Sequence, residues 1–258
     1  MPLNPSAPSA SRPATPNPAA ADDGDALHFC STCAFSDACM SQGYDKAALG
    51  ELHVLVDHMG PFQAGDYLFR AGDPFDSIAA VRAGMVKTFV DDSQGNEQVL
   101  GFSLPGEVIG FNAIHGARFP CNAVALDTVY LCRISFPRLS LLATRMPGLQ
   151  ARLFSLLSAE IGKVATLAAN HRTEERMAAF LLDLSQRYAR RGFSATRFNL
   201  SMARTEIANY LRMAPETVSR VLRRLSDEGV IAVNQREMLL LDPDRLAALA
   251  AARESGLD

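Results

Sequence analysis

Three of the five cysteines fall within ten residues, in the stretch "CSTCAFSDAC", as Cys30, Cys33 and Cys39 spaced C-x2-C-x5-C. Thiols at this density suit a metal clasp, a disulfide or thiol redox chemistry. Four thiolates ligate an iron–sulfur cluster and four sulfurs also satisfy tetrahedral zinc, so the spacing alone does not separate the two. Either centre needs a fourth ligand. The candidates are Cys121, which follows Pro120 in a loop, and Cys132 in the apparent strand "TVYLCRI", where it also reads as an ordinary buried small residue. No βαβ pattern surrounds Cys30 and Cys33, which argues against a thioredoxin-like pair. The N-terminus "MPLNPSAPSASRPATPNPAAADDGD" has neither the basic start nor the apolar centre of a secretory signal. No apolar run reaches the roughly 18 residues that a membrane helix needs. A cytoplasmic protein with no membrane partner is expected, and reduced thiols there favour a metal over a disulfide.

A second group of residues has the chemistry of base recognition. "RTEIANYLRMAPETVSRVLRRL" reads as helix, turn, helix, with Ile207, Ala208 and Leu211 inward on the first and Val218, Val221, Leu222 and Leu225 inward on the second. Glu216, Ser219, Arg220 and Arg223 then share the outer face, with Thr217 beside them. Arginine pairs with guanine, glutamate accepts from cytosine N4, and serine reaches several groups. The bland alternative, an i,i+4 ion pair between Glu216 and Arg220, would be worth only about 0.3–0.5 kcal/mol. The chain carries a net charge of −3, yet residues 187–224 hold nine arginines against two acids, a local balance of +7. Phosphate contact requires such a field, and double-stranded DNA is the expected partner. Pro215 suits the first turn of the second helix. The turn itself carries Arg212 where glycine is usual, and Ala214 stands where a Ser or Thr cap is usual; both choices cost stability.

These residues need elements to hold them. From Leu55 to Ile134, short apolar runs are broken by Gly65, Gly72, Gly84, Gly95 and Gly106, and Ala-Gly-Asp recurs at 64–66 and 71–73. The pattern predicts a β-roll or jelly roll, with "VKTFVDDSQGNEQVLGF" a hairpin turning at Asp91–Asn96. From Pro137 to His171, apolar residues recur at helical spacing: Leu149, Leu153, Leu157, Ile161, Val164 and Leu167. Such a helix lies on its own barrel or pairs with a copy of itself. Thr173 is expected to N-cap the next helix, "IAVNQREMLLL" to form a small hairpin, and Asp242 and Pro243 to cap a last helix. The predicted class is α+β, an N-terminal β-roll, a long dimerisation helix and a C-terminal winged helix-turn-helix. The expected divisions are a disordered leader at 1–27, the cysteine segment and β-roll at 28–136, the dimerisation helix region at 137–172, and the DNA-binding domain at 173–258.

Taken together, "AGDYLFRAGD … VRAGMVKTFVDDSQGNEQVLGFSLPGEVIGF", the long helix and "PETVSRVLRRL" resemble the CRP/FNR superfamily of bacterial transcription regulators, over roughly residues 28–250. Cyclic-nucleotide binders of that superfamily follow the barrel's Gly-Glu with Arg-Ser/Thr-Ala. Gly106 and Glu107 are present here, but Arg118 is followed by Phe119 and Pro120, so the phosphate clamp is not intact. "FCSTCAFSDAC" is similar instead to the cysteine cluster of the FNR (fumarate and nitrate reductase regulator) branch, and Glu216, Ser219 and Arg220 match that branch's base-reading positions. The resemblance implies a [4Fe–4S] cluster on Cys30, Cys33, Cys39 and Cys132, because the family's fourth ligand lies in the last β-roll strand. It also implies a homodimer formed without oxygen and a TTGAT-N4-ATCAA-type palindrome. The family touches RNA polymerase through β-roll loops, which places that contact at Asp92, Ser93, Gly95 and Glu97. No nucleophile, base or nucleotide loop suggests an enzyme. A second reading keeps the DNA-binding domain but gives it a structural metal and another effector, a haem-bound gas or a small ligand. His28, His53, His58, His115 and His171 lack ligand spacing, which argues against haem.

Overall fold

Glycine-punctuated apolar runs become strands, as the sequence predicts. The structure, a computed structural model, describes residues 46–168 and 172–251, and the side chains of 46–49 and 163–168 are not part of that description. The leader, Cys30, Cys33, Cys39, His28 and His171 lie outside the described residues. Helix α1 (Lys46–His53) leads into eight strands: β1 (Val56–Phe62), β2 (Tyr67–Phe69), β3 (Ser77–Ala83), β4 (Val86–Asp91), β5 (Glu97–Ser103), β6 (Val108–Ile109), β7 (Asn122–Ala125) and β8 (Val129–Ser135). They form two four-stranded antiparallel sheets, ordered β1-β8-β3-β6 and β2-β7-β4-β5. Val81, Val86, Ile109, Val129 and Leu131 fill the space between them. The β3–β4 turn depends on Gly84, whose φ is +80° and where a Cβ would come within 2.6 Å of Asp127 Oδ1. A side chain there would push away the carboxylate that holds the Met85 amide at 2.7 Å.

After β8 the period changes to helical. In α2 (Phe136–Arg145) and α3 (Pro147–Ala168), Leu139, Leu142 and Leu149 pack with Ile78 and Ile134 of the barrel, and Leu153, Leu156 and Leu157 lean on the same cluster. The first half of the predicted seam therefore faces its own chain. Phe154 and Ile161 lie on the other side, 61% and 72% exposed.

The C-terminal part comprises α4 (Thr173–Ala189), β9 (Arg197–Asn199), α5 (Arg204–Tyr210), α6 (Pro215–Asp227), β10 (Ile231–Asn234), β11 (Glu237–Leu240) and α7 (Pro243–Ala251). Its three strands form a small sheet ordered β10-β11-β9. Asp242 Oδ1 accepts from the Arg245 amide at 2.9 Å and starts α7 as expected. Thr173 is not the N-cap of α4. Arg172 takes that place because its amide donates to Glu175 Oε2 at 2.9 Å, closing the first turn one residue earlier. Met177, Leu181, Leu184, Ile207, Val218 and Ile231 are almost fully buried, and each such side chain stabilises by about 1.5–3 kcal/mol. Met85, Val99, Phe102 and Leu104 of the barrel belong to the same cluster, so the β-roll and the helical part share one apolar core. Among the described residues no helix is long and apolar enough to cross a membrane.

Candidate nucleic-acid interface and sensory cysteine

Helix α6 owes its position to one apolar stripe, Val218, Val221, Leu222 and Leu225, all buried against α5 and α4. Its opposite face carries Glu216, Arg220 and Arg223 in solvent, with Thr217 and Ser219 half-buried at its margins. The i,i+4 pair does not form: Arg220 Nη2 donates to Thr217 Oγ1 at 3.3 Å, and Glu216 makes no ion pair among the described residues. Arg223 reaches Asp227 only loosely, at 3.9 Å.

The turn before α6 does take the left-handed conformation that its sequence makes costly, with φ +53° at Arg212. The amides of Arg212 and Met213 donate back to Asn209 O (3.0 Å) and Ala208 O (2.8 Å). Arg176 of α4 completes the turn, its Nη1 donating to Leu211 O at 2.8 Å and Arg212 O at 3.3 Å. A guanidinium on the last carbonyls of a helix offsets part of the missing glycine. Pro215 at the first helical position removes one N–H that Ala214 has no side chain to cap.

The local positive balance is less bare than a residue count suggests. Arg187 and Arg191 are buried on Glu107, Arg197 pairs with Glu237 at 2.7 Å, and Arg224 pairs with Glu174 and, at 2.9 Å, with Glu228. Arg190, Arg204, Arg212 and Arg220 make no ion pair among the described residues, and they carry the field offered to phosphates.

Cys132 is half-buried in β8, directly across from His58 of β1, with Sγ 3.7 Å from His58 Nδ1. The His58 ring lies 6.1 Å from that of His53. Burial lowers the His58 pKa, and the neighbouring Arg82 and His53 lower it further against Asp57. Cys132 also packs on the cluster of Ile134, Leu139, Leu142 and Leu149 that seats α3. Cys121 is different: it is 1% exposed, and its sulfur accepts from Asn112 Nδ2 at 3.2 Å. Burial pushes its thiol pKa up, outweighing the Asn112 amide. Among the described residues, no group of three or more His, Cys, Asp or Glu forms a metal cage. The donor chemistry nevertheless fits a thiolate-held cluster at Cys132. Its sulfur is reachable, and its neighbouring strand β1 follows α1, which begins at Lys46, seven residues after Cys39 in the sequence. Cys121 does not fit, being sealed behind Asn112.

Two positions associated with cyclic nucleotides are already occupied: Arg118 Nη1 donates to Gly72 O at 2.6 Å, and Glu107 holds Arg187 and Arg191. In the β4–β5 turn, the Asp92 carboxylate accepts from Gln94 N (2.8 Å), Asn96 N (2.9 Å) and Asn96 Nδ2 (3.0 Å). The Asn96 side chain, then the backbone amides, hold its pKa low. Ser93 and Gly95 are exposed at the tip, whereas Glu97 pairs with Lys87 at 2.8 Å at its base. Arg176, Lys87 and Asn209, and the arginine partners of Glu107, could not be read from the sequence, because the partners of a buried polar group lie far away in the chain.

A β-roll, a long helix with an open face and a winged helix-turn-helix with an unobstructed outer face define a DNA-binding transcription regulator rather than an enzyme. Residues 60–144 match the cyclic nucleotide-binding domain and residues 175–249 the Crp-like helix-turn-helix domain. The chain is 40% identical over 230 residues to the transcriptional activator protein Anr of Pseudomonas protegens, covering 88% of this chain and 94% of that one. It is 38% identical to the fumarate and nitrate reduction regulatory protein of Escherichia coli K12, covering 88% and 92%. Among solved structures, FixK2 from Bradyrhizobium japonicum superposes with a TM-score of 0.68 at 25% identity, over 75% of this chain and 96% of that one. The chain belongs to the CRP/FNR family of transcription regulators.

Proposed function

We propose that the protein is an oxygen-responsive global transcription regulator of the cytoplasm. Cys30, Cys33, Cys39 and Cys132 would hold a [4Fe–4S] cluster, and two copies pair through α3 when oxygen is absent. The paired α6 helices then bind a TTGAT-N4-ATCAA-like palindrome and control anaerobic gene expression, with Glu216, Thr217, Ser219, Arg220 and Arg223 facing the DNA. The exposed turn at Asp92, Ser93 and Gly95, with Glu97 at its base, is the surface offered to RNA polymerase. A cluster of this kind supplies an inorganic core that oxygen destroys. The chain supplies the coupling: ligation ties the N-terminal segment to the strand whose Cys132 packs on the seat of α3. Paired reading helices sit about one DNA turn, roughly 34 Å, apart. To act as a switch, ligation must bias dimer against monomer by a few kcal/mol.

The observation that carries this reading is the place of Cys132, reachable in β8 beside the strand that leads back to the cysteine segment, while Cys121 is sealed. The names of relatives such as the fumarate and nitrate reduction regulatory protein support it. Protein isolated without air should contain iron and acid-labile sulfide in equal amounts and show a broad brown absorption that bleaches in air. Cys132→Ser should remove both, and Cys121→Ser should remove neither. Zinc in place of iron overturns the reading. One observation favours a small-ligand effector instead: a cavity of about 1240 Å³ between the barrel and the helical part, lined by Phe102, Phe111, Phe180, Tyr210 and Arg176. Colourless protein with air-insensitive DNA binding would support that alternative, and a sharp Soret band would indicate haem.

A further inference from the structure

The helical part meets the barrel through three polar anchors, the first of them nearly dry. At the C-terminal end of α4, Arg187 forks onto Glu107, with Nε 2.8 Å from Oε1 and Nη2 2.6 Å from Oε2. Arg191 Nη2 reaches Glu107 Oε1 at 2.8 Å, and the Leu104 amide donates to Oε2 at 2.9 Å. Arg187 Nη2 also donates to Phe102 O at 2.5 Å, and Arg191 Nε to Pro105 O. The three side chains are 7%, 5% and 14% exposed for Arg187, Arg191 and Glu107. A second anchor lies on β5, an edge strand of its sheet. Asn209 of α5 accepts from the Val99 amide at 2.7 Å and donates to Glu97 O at 2.5 Å, closing that edge. Beside it, Lys87 bridges Glu97 of the barrel (2.8 Å) and Glu206 of α5 (2.9 Å). A third anchor joins Ser201 Oγ to Asp127 Oδ2 at 2.7 Å.

Buried ion pairs add little net stability over apolar packing, because desolvation offsets their attraction. They are directional, and a forked guanidinium fixes orientation as well as distance. Three separate anchors on α4, α5 and the loop before α5 remove the freedom of the helical part to swivel on the barrel. None of them involves the outer face of α6, where Glu216, Arg220 and Arg223 remain exposed. The contact thus orients the reading face without covering it. We propose that Glu107 and Asn209 are positioning residues for DNA binding: the clamp they form sets the angle at which the barrel presents α6, and hence the half-site spacing that a dimer accepts.

The inference rests on the dimeric reading above. Its test uses a palindromic duplex selected by the full-length wild-type protein, without air, from a random pool. Two further duplexes carry two base pairs more or fewer between the half-sites. Wild type, Glu107→Gln and Asn209→Ala are compared on all three, with thermal melting to confirm folding. Both variants should bind the selected duplex roughly tenfold more weakly, since the reading face is no longer pre-organised. The preference for the selected spacing over the altered spacings should also fall, which a protein that is merely less stable would not show. Asn209→Ala leaves no charge buried without its partner, so it carries the test if Glu107→Gln fails to fold. Unchanged spacing preference in a folded variant overturns the inference, as does tighter binding, which would make the clamp an inhibitory lock. A wild type indifferent to spacing would instead refute the dimeric reading.

Discussion

Glu216 and Arg220 offer opposite chemistry to a base edge, an acceptor and a donor fork, one turn apart on α6. The contact of Arg220 Nη2 with Thr217 Oγ1 at 3.3 Å narrows the positions the guanidinium samples, while Glu216 makes no ion pair among the described residues. Replacing one therefore leaves the reach of the other intact. Glu216→Ala and Arg220→Ala should each cost about 1–3 kcal/mol on the preferred palindrome. On random-sequence DNA the loss should be small, as measured by fluorescence anisotropy at fixed salt. Equal losses on both DNAs would reclassify the pair as phosphate or structural contacts. The outward set of α6 was legible because helical period alone decides which side chains share a face. The fate of its neighbouring charges was not. Arg187 and Arg191 count toward a basic run in the sequence, yet Arg187 is buried against Glu107, 80 residues away. Burial alone lowers the pKa of Arg187, but Glu107 and Asp183 outweigh it and hold the guanidinium charged.

At the scale of elements, the turn between α5 and α6 shows how a local cost is absorbed by a neighbour. Arg212 sits at φ +53°, where a Cβ crowds the following carbonyl, and Arg176 of α4 holds the two carbonyls of that turn. A left-handed non-glycine residue costs roughly 1–2 kcal/mol, part of which glycine would return through its freer unfolded chain. Arg212→Gly should therefore stabilise by about 0.5–1 kcal/mol, seen as a higher urea midpoint with an unchanged slope. A lower midpoint would mean that the Arg212 side chain contributes more than its backbone costs. The turn's strain could be read from the sequence, but its compensation by Arg176, 35 residues earlier, could not. The long helix posed a related problem. A face on the barrel and a face on a partner share one period, so spacing grouped Leu149 with Ile161. Burial separates them: Leu149 is fully buried and Ile161 is 72% exposed.

For the molecule as a whole, the proposed dimer would meet through the open side of that divided helix. Leu149, Leu153, Leu156 and Leu157 are committed to the barrel cluster. Phe154 and Ile161, seven residues and two turns apart, project from the other side with 61% and 72% of their surfaces open. In a two-fold dimer the same patch meets itself, so one substitution is felt twice. Ile161→Glu should place the two introduced carboxylates against each other at the seam while leaving the barrel cluster untouched. Its unfolding free energy should stay within about 0.5 kcal/mol of wild type, as for other exposed sites. Sedimentation without air should show monomer at concentrations where wild type is dimeric. Binding to the palindrome should fall by about a hundredfold or more, because the second half-site is no longer reached within one complex. Binding to an isolated half-site should be unchanged, since Ile161 is no part of the outer face of α6. An Ile161→Glu protein that stays dimeric and keeps its affinity for the palindrome would place the subunit interface elsewhere than α3 and overturn the proposed path from Cys132 through the helix seat to the partner.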